Sequence, residues 1–172
     1  FRNKTFGYHS GTMKVVFGNG KVYFGSARTN YFLKAFFSDL CSRPSCYECN
    51  FKHIQHKSDL TLYDGWHASE LANIEDDDRG YTNIIIQSNK GKEILDGLKT
   101  LKKYPIDTLK AVELDGIMVE NSVEWNDKRE RFFDNINNEN IEEHCLKFMK
   151  ISLKDKFIEK MKRIYYIRKF NG

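Results

Sequence analysis

Tyr81-Thr82-Asn83-Ile84-Ile85-Ile86-Gln87-Ser88-Asn89-Lys90-Gly91-Lys92-Glu93-Ile94-Leu95 places two secondary-structure signals back to back. The run Ile84-Ile85-Ile86 within 81–87 reads as a buried strand, because β-branched side chains pack well on a pleated surface. Ser88 is a capping residue, and Ile94, Leu95, Leu98 and Leu101 recur at the spacing of one helical face. Upstream, Met13–Phe17 and Lys21–Gly25 flank Gly18-Asn19-Gly20, whose Asn-Gly pair suits the left-handed positions of a tight hairpin. In 30–40 the residues Tyr31, Phe32, Ala35, Phe36 and Leu40 mark a helix, with Thr29 as its expected N-cap. Residues 59–63 alternate like a strand, and Glu75-Asp76-Asp77-Asp78-Arg79-Gly80 is a charged loop. Further helices are expected over 126–135, 140–149 and 153–170. A hairpin, isolated strands and helices without a βαβ rhythm predict an α+β fold. Its expected parts are an N-terminal β-hairpin, a mixed sheet with packed helices, and a C-terminal basic amphipathic helix.

The chain has 172 residues, 14% of them aromatic, and only two prolines, so it is long and apolar enough to bury a core without a proline-rich linker. It contains no apolar run of membrane-spanning length, and Phe1-Arg2-Asn3-Lys4 is not followed by the apolar stretch of a secretion signal. The formal charge of +4 belongs to the tail: Lys147, Lys150, Lys154, Lys156, Lys160, Lys162, Arg163, Arg168 and Lys169 face only Asp155 and Glu159 over 147–169. Three of the four cysteines crowd together, which suits a metal or redox site in a reducing compartment, the cytoplasm, better than a disulfide framework.

Cys41, Cys46 and Cys49 form a C-x4-C-x2-C segment. Its spacing equals that of the first three thiolates of a plant-type ferredoxin, but no fourth cysteine follows at a suitable distance. Cys46, Cys49, His53 and His56 form a second candidate set, for zinc, with a short loop between its pairs. Buried thiols in an aromatic-rich loop are a third reading.

The wider segment carries a resemblance. Arg43-Pro44-Ser45-Cys46-Tyr47-Glu48-Cys49-Asn50-Phe51-Lys52, followed by Ser58-Asp59-Leu60-Thr61-Leu62-Tyr63-Asp64-Gly65-Trp66, resembles the C-terminal domain of the coenzyme F-420 hydrogenase/dehydrogenase beta subunit family. That family shows R-P-S-C-Y-x-C-x-F-K and then S-D-[IL]-T-[IL]-G-D-F-W-G. Gly7-Tyr8-His9-Ser10-Gly11-Thr12-Met13 is similar to the start of this domain. Asp77-Asp78-Arg79-Gly80, Asn89-Lys90-Gly91-Lys92-Glu93 and Arg129-Glu130-Arg131-Phe132-Phe133 are similar to later segments. The resemblance implies a C-terminal domain over 1–135 with a helical basic extension over 136–172. It also implies an iron–sulfur flavoprotein oxidoreductase that moves electrons between a 4Fe-4S cluster, FAD and a deazaflavin coenzyme or another acceptor. Cys46 and Cys49 match the family's cluster cysteines, Cys41 is a weaker third, and Asp64 and Trp66 fall beside the cofactor region. The other ligands and much of the flavin site are expected in an N-terminal region of the same protein, so this part alone is expected to be inactive. Relatives of this type accompany polysaccharide synthesis, where a redox partner protein would be the alternative acceptor. At one turn the chain departs from the pattern: Tyr63 and His67 stand where the family has small residues, which also leaves room for a non-enzymatic interaction module.

Other residues carry competing readings. His9 and His67 are candidate ligand or acid–base groups, each read also as a surface or structural histidine. Asp76-Asp77-Asp78 lacks the rest of a calcium loop and reads as solvated. Cys145 falls on a helix beside Leu146 and Met149, as a core residue does. Leu153, Phe157, Ile158, Met161, Ile164, Tyr165 and Phe170 among cations suit an anionic membrane surface, a partner, or packing on the domain itself. No motif supports nucleic-acid binding. Nucleophile elbows and dinucleotide glycine loops are also missing from the sequence.

Overall fold

The Asn19-Gly20 signal closes the first hairpin as expected. β1 (Met13–Val16) pairs antiparallel with β2 (Val22–Gly25), in the register Met13↔Gly25 to Val16↔Val22. Gly20 adopts φ 81°, and the turn is held by Phe17 N–H to the Lys21 carbonyl and Gly20 N–H to the Phe17 carbonyl, both 2.9 Å. The computed structural model describes residues 2–134, 136–137 and 140–171, the side chains of 169–171 excepted. The described chain divides into two compact units, Phe1–Tyr47 with Val123–Gly172, and Glu48–Ser122.

In the first unit, two 3-10 turns (Lys4–Phe6 and Tyr8–Ser10) precede the hairpin. α1 (Tyr31–Phe37) follows it, capped by Asn30 rather than Thr29, since the Asn30 side chain accepts from the Leu33 N–H at 2.9 Å. The helix stops short of Leu40 because Asp39 takes a left-handed φ of 58°. α2 (Pro44–Tyr47), α7 (Arg129–Asp134), α8 (Ile141–Phe148) and α9 (Leu153–Asn171) complete the unit. Asn135, at the end of the helix expected over 126–135, lies outside the described residues. Ala35, Leu40, Phe132, Cys145 and Met149 form the core, with Tyr31, Cys41, Ile136 and Phe148 against it.

α9 docks through charge. Glu159 is buried, accepts the Ser26 hydroxyl at 2.6 Å, and pairs with Arg163 at 3.3 Å. Arg163 also donates to the Phe24 carbonyl at 2.6 Å, so α9 is fastened to the first hairpin by a polar seam. Of the apolar residues named from the sequence, Leu153, Phe157, Met161 and Tyr165 are exposed, while Ile158 and Ile164 are half-buried. Phe170, expected on the same face, has a side chain outside those described. Glu159 and Arg163 sit four apart on the inward stripe, a spacing that Phe157, Met161 and Tyr165 share on another face.

The second unit is built on β3 (Leu60–Gly65) and β4 (Tyr81–Ile86), antiparallel from Leu60↔Ile86 to Gly65↔Tyr81. α3 (Ala68–Ala72) lies between the strands in sequence, and α4 (Asn89–Gly97), α5 (Thr108–Asp115) and α6 (Ile117–Glu120) follow. Tyr63, Val112 and Val119 are its core, backed by Ile54 and Ile85. The α+β class is as expected. Among the described residues the expected mixed sheet resolves into two separate antiparallel pairs, each closed locally, with no parallel crossover between them. Ile86 of the isoleucine run is exposed, and Ile94, Leu98 and Leu101 of the expected stripe are exposed while Leu95 is buried. A two-stranded ladder covers few side chains, and α4 ends at Gly97 before the stripe is complete.

The capping expectation at Ser88 holds. Its Oγ accepts the Gly91 N–H at 3.1 Å and donates to Asp59 Oδ1 at 2.6 Å. The Ser88 hydroxyl, aided by Lys90, holds the exposed Asp59 carboxyl below the usual carboxylate range. Ser88→Ala is expected to lower stability by about 1 kcal/mol at neutral pH. A carboxyl depressed in the folded state stabilises above its ordinary titration range and loses that contribution as pH falls through it. The gap in melting temperature between wild type and Ser88→Ala should therefore narrow on acidification.

Candidate functional site

Cys46 sits on α2, which starts on Pro44, a residue suited to the first helical position because its missing N–H has no partner there anyway. The Cys46 N–H donates to the Arg43 carbonyl at 2.8 Å. The segment before it is held by aromatic and cationic contacts. The Tyr47 hydroxyl donates to the Asp39 carbonyl at 2.7 Å, and its ring lies 4.7 Å from that of Trp125. The Arg129 guanidinium stands 4.7 Å over Phe133 and 5.7 Å over Trp125, and Arg129 Nε donates to the Ser42 carbonyl at 3.1 Å. The Arg129–Phe133 segment quoted from the sequence thus anchors the residues leading to Cys46.

Cys41 packs against the core that contains Cys145. Burial pushes the Cys41 thiol up, opposed by Arg129 and reinforced by Asp39; burial, with Cys41 beside it, pushes Cys145 up too. The expected core role of Cys145 is what the structure shows. Cys49 belongs to the second unit, where its N–H donates to Ser122 Oγ at 3.1 Å. In the same unit the His53 and His56 rings stack at 4.8 Å and 16°, face to face. Among the described residues no group of three or more His, Cys, Asp or Glu side chains is placed to hold a metal ion. Cys46 and Cys49 offer two thiols, so a four-thiolate cluster would draw its remaining donors from elsewhere.

The end of β3 gathers a polar cluster in the second unit. Tyr63 pairs with Asn83 and Gly65 with Tyr81, so these four share one face of the ladder, and Asp64 with Thr82 points to the other. Asp115, the last residue of α5, comes to the face of Tyr63 and Asn83. Its carboxylate accepts three donors: His67 Nδ1 at 2.6 Å on Oδ1, and on Oδ2 both the His67 backbone N–H and Asn83 Nδ2, each at 3.1 Å. The Asp115 side chain is 0% exposed, whereas that of His67 is 48% exposed. Tyr63 packs beside them, and burial together with the Asp115 charge pushes its phenol up. Gly116 makes this possible: a Cβ there would lie 2.8 Å from Val112 Cα and 3.0 Å from Tyr63 Cε2.

The two bulky residues at the altered turn are therefore accommodated, Tyr63 by Gly116 and His67 by Asp115. Of the sequence candidates, Asp64 and Trp66 lie within this turn, between Tyr63 and His67, Cys41 joins the first core, and Cys46 and Cys49 fall in different units. Asp115 and Asn83 were missed. Asp115 stands 48 residues from His67, and no local pattern links them. His9 lies in the 3-10 turn Tyr8–Ser10 and is exposed. In the acidic loop, Asp76 and Asp77 accept the Asp78 and Arg79 N–H groups at 2.8 and 3.0 Å, as turn-forming residues do.

The chain combines an α+β scaffold with a cysteine-bearing segment and a strand end that gathers polar side chains. Residues 5–111 match the family model for the C terminus of the beta subunit of coenzyme F420 hydrogenase/dehydrogenase, and the chain belongs to that family. Comparison with the curated proteins and with the solved structures gave no match. His67 and Asn83 fall within the matched residues and Asp115 beyond them.

Gly116→Ala is expected to destabilise the protein by about 1–3 kcal/mol, through overpacking against Val112 and Tyr63, and to lower the melting temperature. Cys41 and Cys145 are expected to alkylate with iodoacetamide more slowly than an unhindered thiol, because the thiolate is the reactive form and burial disfavours it. Mass spectrometry of the native protein after timed quenching checks this.

Proposed function

We propose that the chain is the C-terminal part of an iron–sulfur flavoprotein oxidoreductase. It transfers electrons between a 4Fe-4S cluster, FAD and a deazaflavin or other acceptor, and serves polysaccharide biosynthesis in the cytoplasm. The observation that carries this reading is the family match over residues 5–111. Cys46 and Cys49 are two of the cluster thiolates, with Cys41 the third thiol of the segment, and Asp64 and Trp66 border the flavin. An N-terminal region of the same protein supplies the remaining ligands. Residues 1–135 are the family's C-terminal domain and 136–172 its helical basic extension. Among the described residues no helix is long and apolar enough to cross a membrane. The exposed Phe157, Met161 and Tyr165 among the cations of α9 support contact with an anionic membrane surface or a redox partner.

The altered turn favours a second reading, an interaction module that has lost its redox chemistry. One preparation separates the two: the whole protein isolated without oxygen and analysed for iron, sulfide, zinc and flavin. Iron, sulfide and flavin in the wild type, with iron and sulfide lost in the Cys46→Ser/Cys49→Ser double variant, is the expected result. A preparation without iron or flavin would sink the redox reading, and one zinc without sulfide would point to Cys46, Cys49, His53 and His56.

A further inference from the structure

The cluster at the end of β3 contains one side chain that the fold leaves half exposed, the imidazole of His67. Asp115 Oδ2 already receives two donors, the His67 backbone N–H and Asn83 Nδ2. Those two bonds join the turn after β3, strand β4 and the end of α5. The imidazole adds a third bond on Oδ1, at the short distance of 2.6 Å, from a ring that stays half exposed. A carboxylate accepts hydrogen bonds and cannot donate them, so the ring nitrogen facing it carries the hydrogen. The lone pair then resides on Nε2, which makes no hydrogen bond among the described residues.

We propose that His67 is an acid–base residue: Asp115 takes its Nδ1–H and fixes the tautomer, and Nε2 accepts a proton from a ligand presenting an acidic N–H or O–H at the end of β3. In that step the ligand's N–H or O–H bond breaks and its electron pair stays on the ligand. An N–H bond forms at Nε2, and the resulting imidazolium keeps its Nδ1–H on the Asp115 carboxylate. The proton returns to water or, in the reverse direction, to the ligand. Asp115 is a positioning residue, because it acts through the ring and does not meet the ligand. Asn83 holds Asp115 in turn. Neither side chain depends on a cluster or a flavin, so the assignment stands whether the domain is redox-active or an interaction module.

Two measurements on the whole protein test it. Ring nitrogen–proton correlation spectra at alkaline pH should show His67 in the Nδ1–H tautomer in the wild type. Diethyl pyrocarbonate, which attaches to a lone-pair nitrogen, should modify His67 about tenfold faster in the wild type than in Asp115→Asn, whose amide no longer enforces that tautomer. An unchanged modification rate at His67 in a folded Asp115→Asn protein would mean that the carboxylate does not fix the ring, which would overturn the proposal. An Nε2–H tautomer in the wild type would overturn it too, and that spectrum needs no variant to fold. If Asp115→Asn fails to fold, Asp115→Glu, which keeps the carboxylate, takes its place: retention of the Nδ1–H tautomer and the fast rate supports the assignment, and their loss in a folded Asp115→Glu protein refutes it.

Discussion

A carboxylate taken fully out of water must be surrounded by donors, because an unpaired buried charge would destabilise the fold by several kcal/mol. Asp115 meets that demand with three, and the demand organises the second unit. The turn after β3 has to bring the His67 N–H and ring to it, β4 has to present Asn83 in register with Tyr63, and α5 has to end where the carboxylate can reach both. The absence of a side chain at Gly116 lets the Tyr63 ring pack against the end of the same helix. Strand register, helix length and turn shape thus converge on one group.

The first unit applies the same physics at another place. Glu159 is buried, and Ser26 and Arg163 satisfy it, with Arg163 in turn bonded to the Phe24 carbonyl. Such a seam is directional, so it aligns α9 along the hairpin in a way that apolar contact alone would not specify. The nearby apolar core, from Ala35 to Met149, supplies the non-directional part of the stability. Arg129 has a comparable local role: stacked on Phe133 and Trp125 and bonded to Ser42, it holds the residues that lead into the cysteine segment.

Local signals were legible where short-range chemistry decides the outcome. Asn19-Gly20 marked the hairpin, Ser88 marked the start of α4, and Cys145 between apolar neighbours marked a core position. The cysteine segment and the strand after it were enough to reveal the family. Thr29 was a false cap signal, because Asn30 next to it is an equally good cap and only the chain's path selects one. On α9, Phe157, Met161 and Tyr165 look like a buried stripe while the inward face is Glu159 and Arg163. Hydrophobic spacing cannot show that a charged side chain has a partner more than a hundred residues away.

The sequence by itself determined the α+β class, the first hairpin, the capped helix after β4 and the family, because each rests on neighbouring residues or on a motif. Only the tertiary structure decided that Tyr63 and His67 fit their turn and that Asp115 and Asn83 stand beside them. It also decided that the terminal helix docks by its charged side. The physical reason is common to all three. A buried polar group is defined by the donors and acceptors that meet it in space, and those come from residues that sequence spacing does not connect.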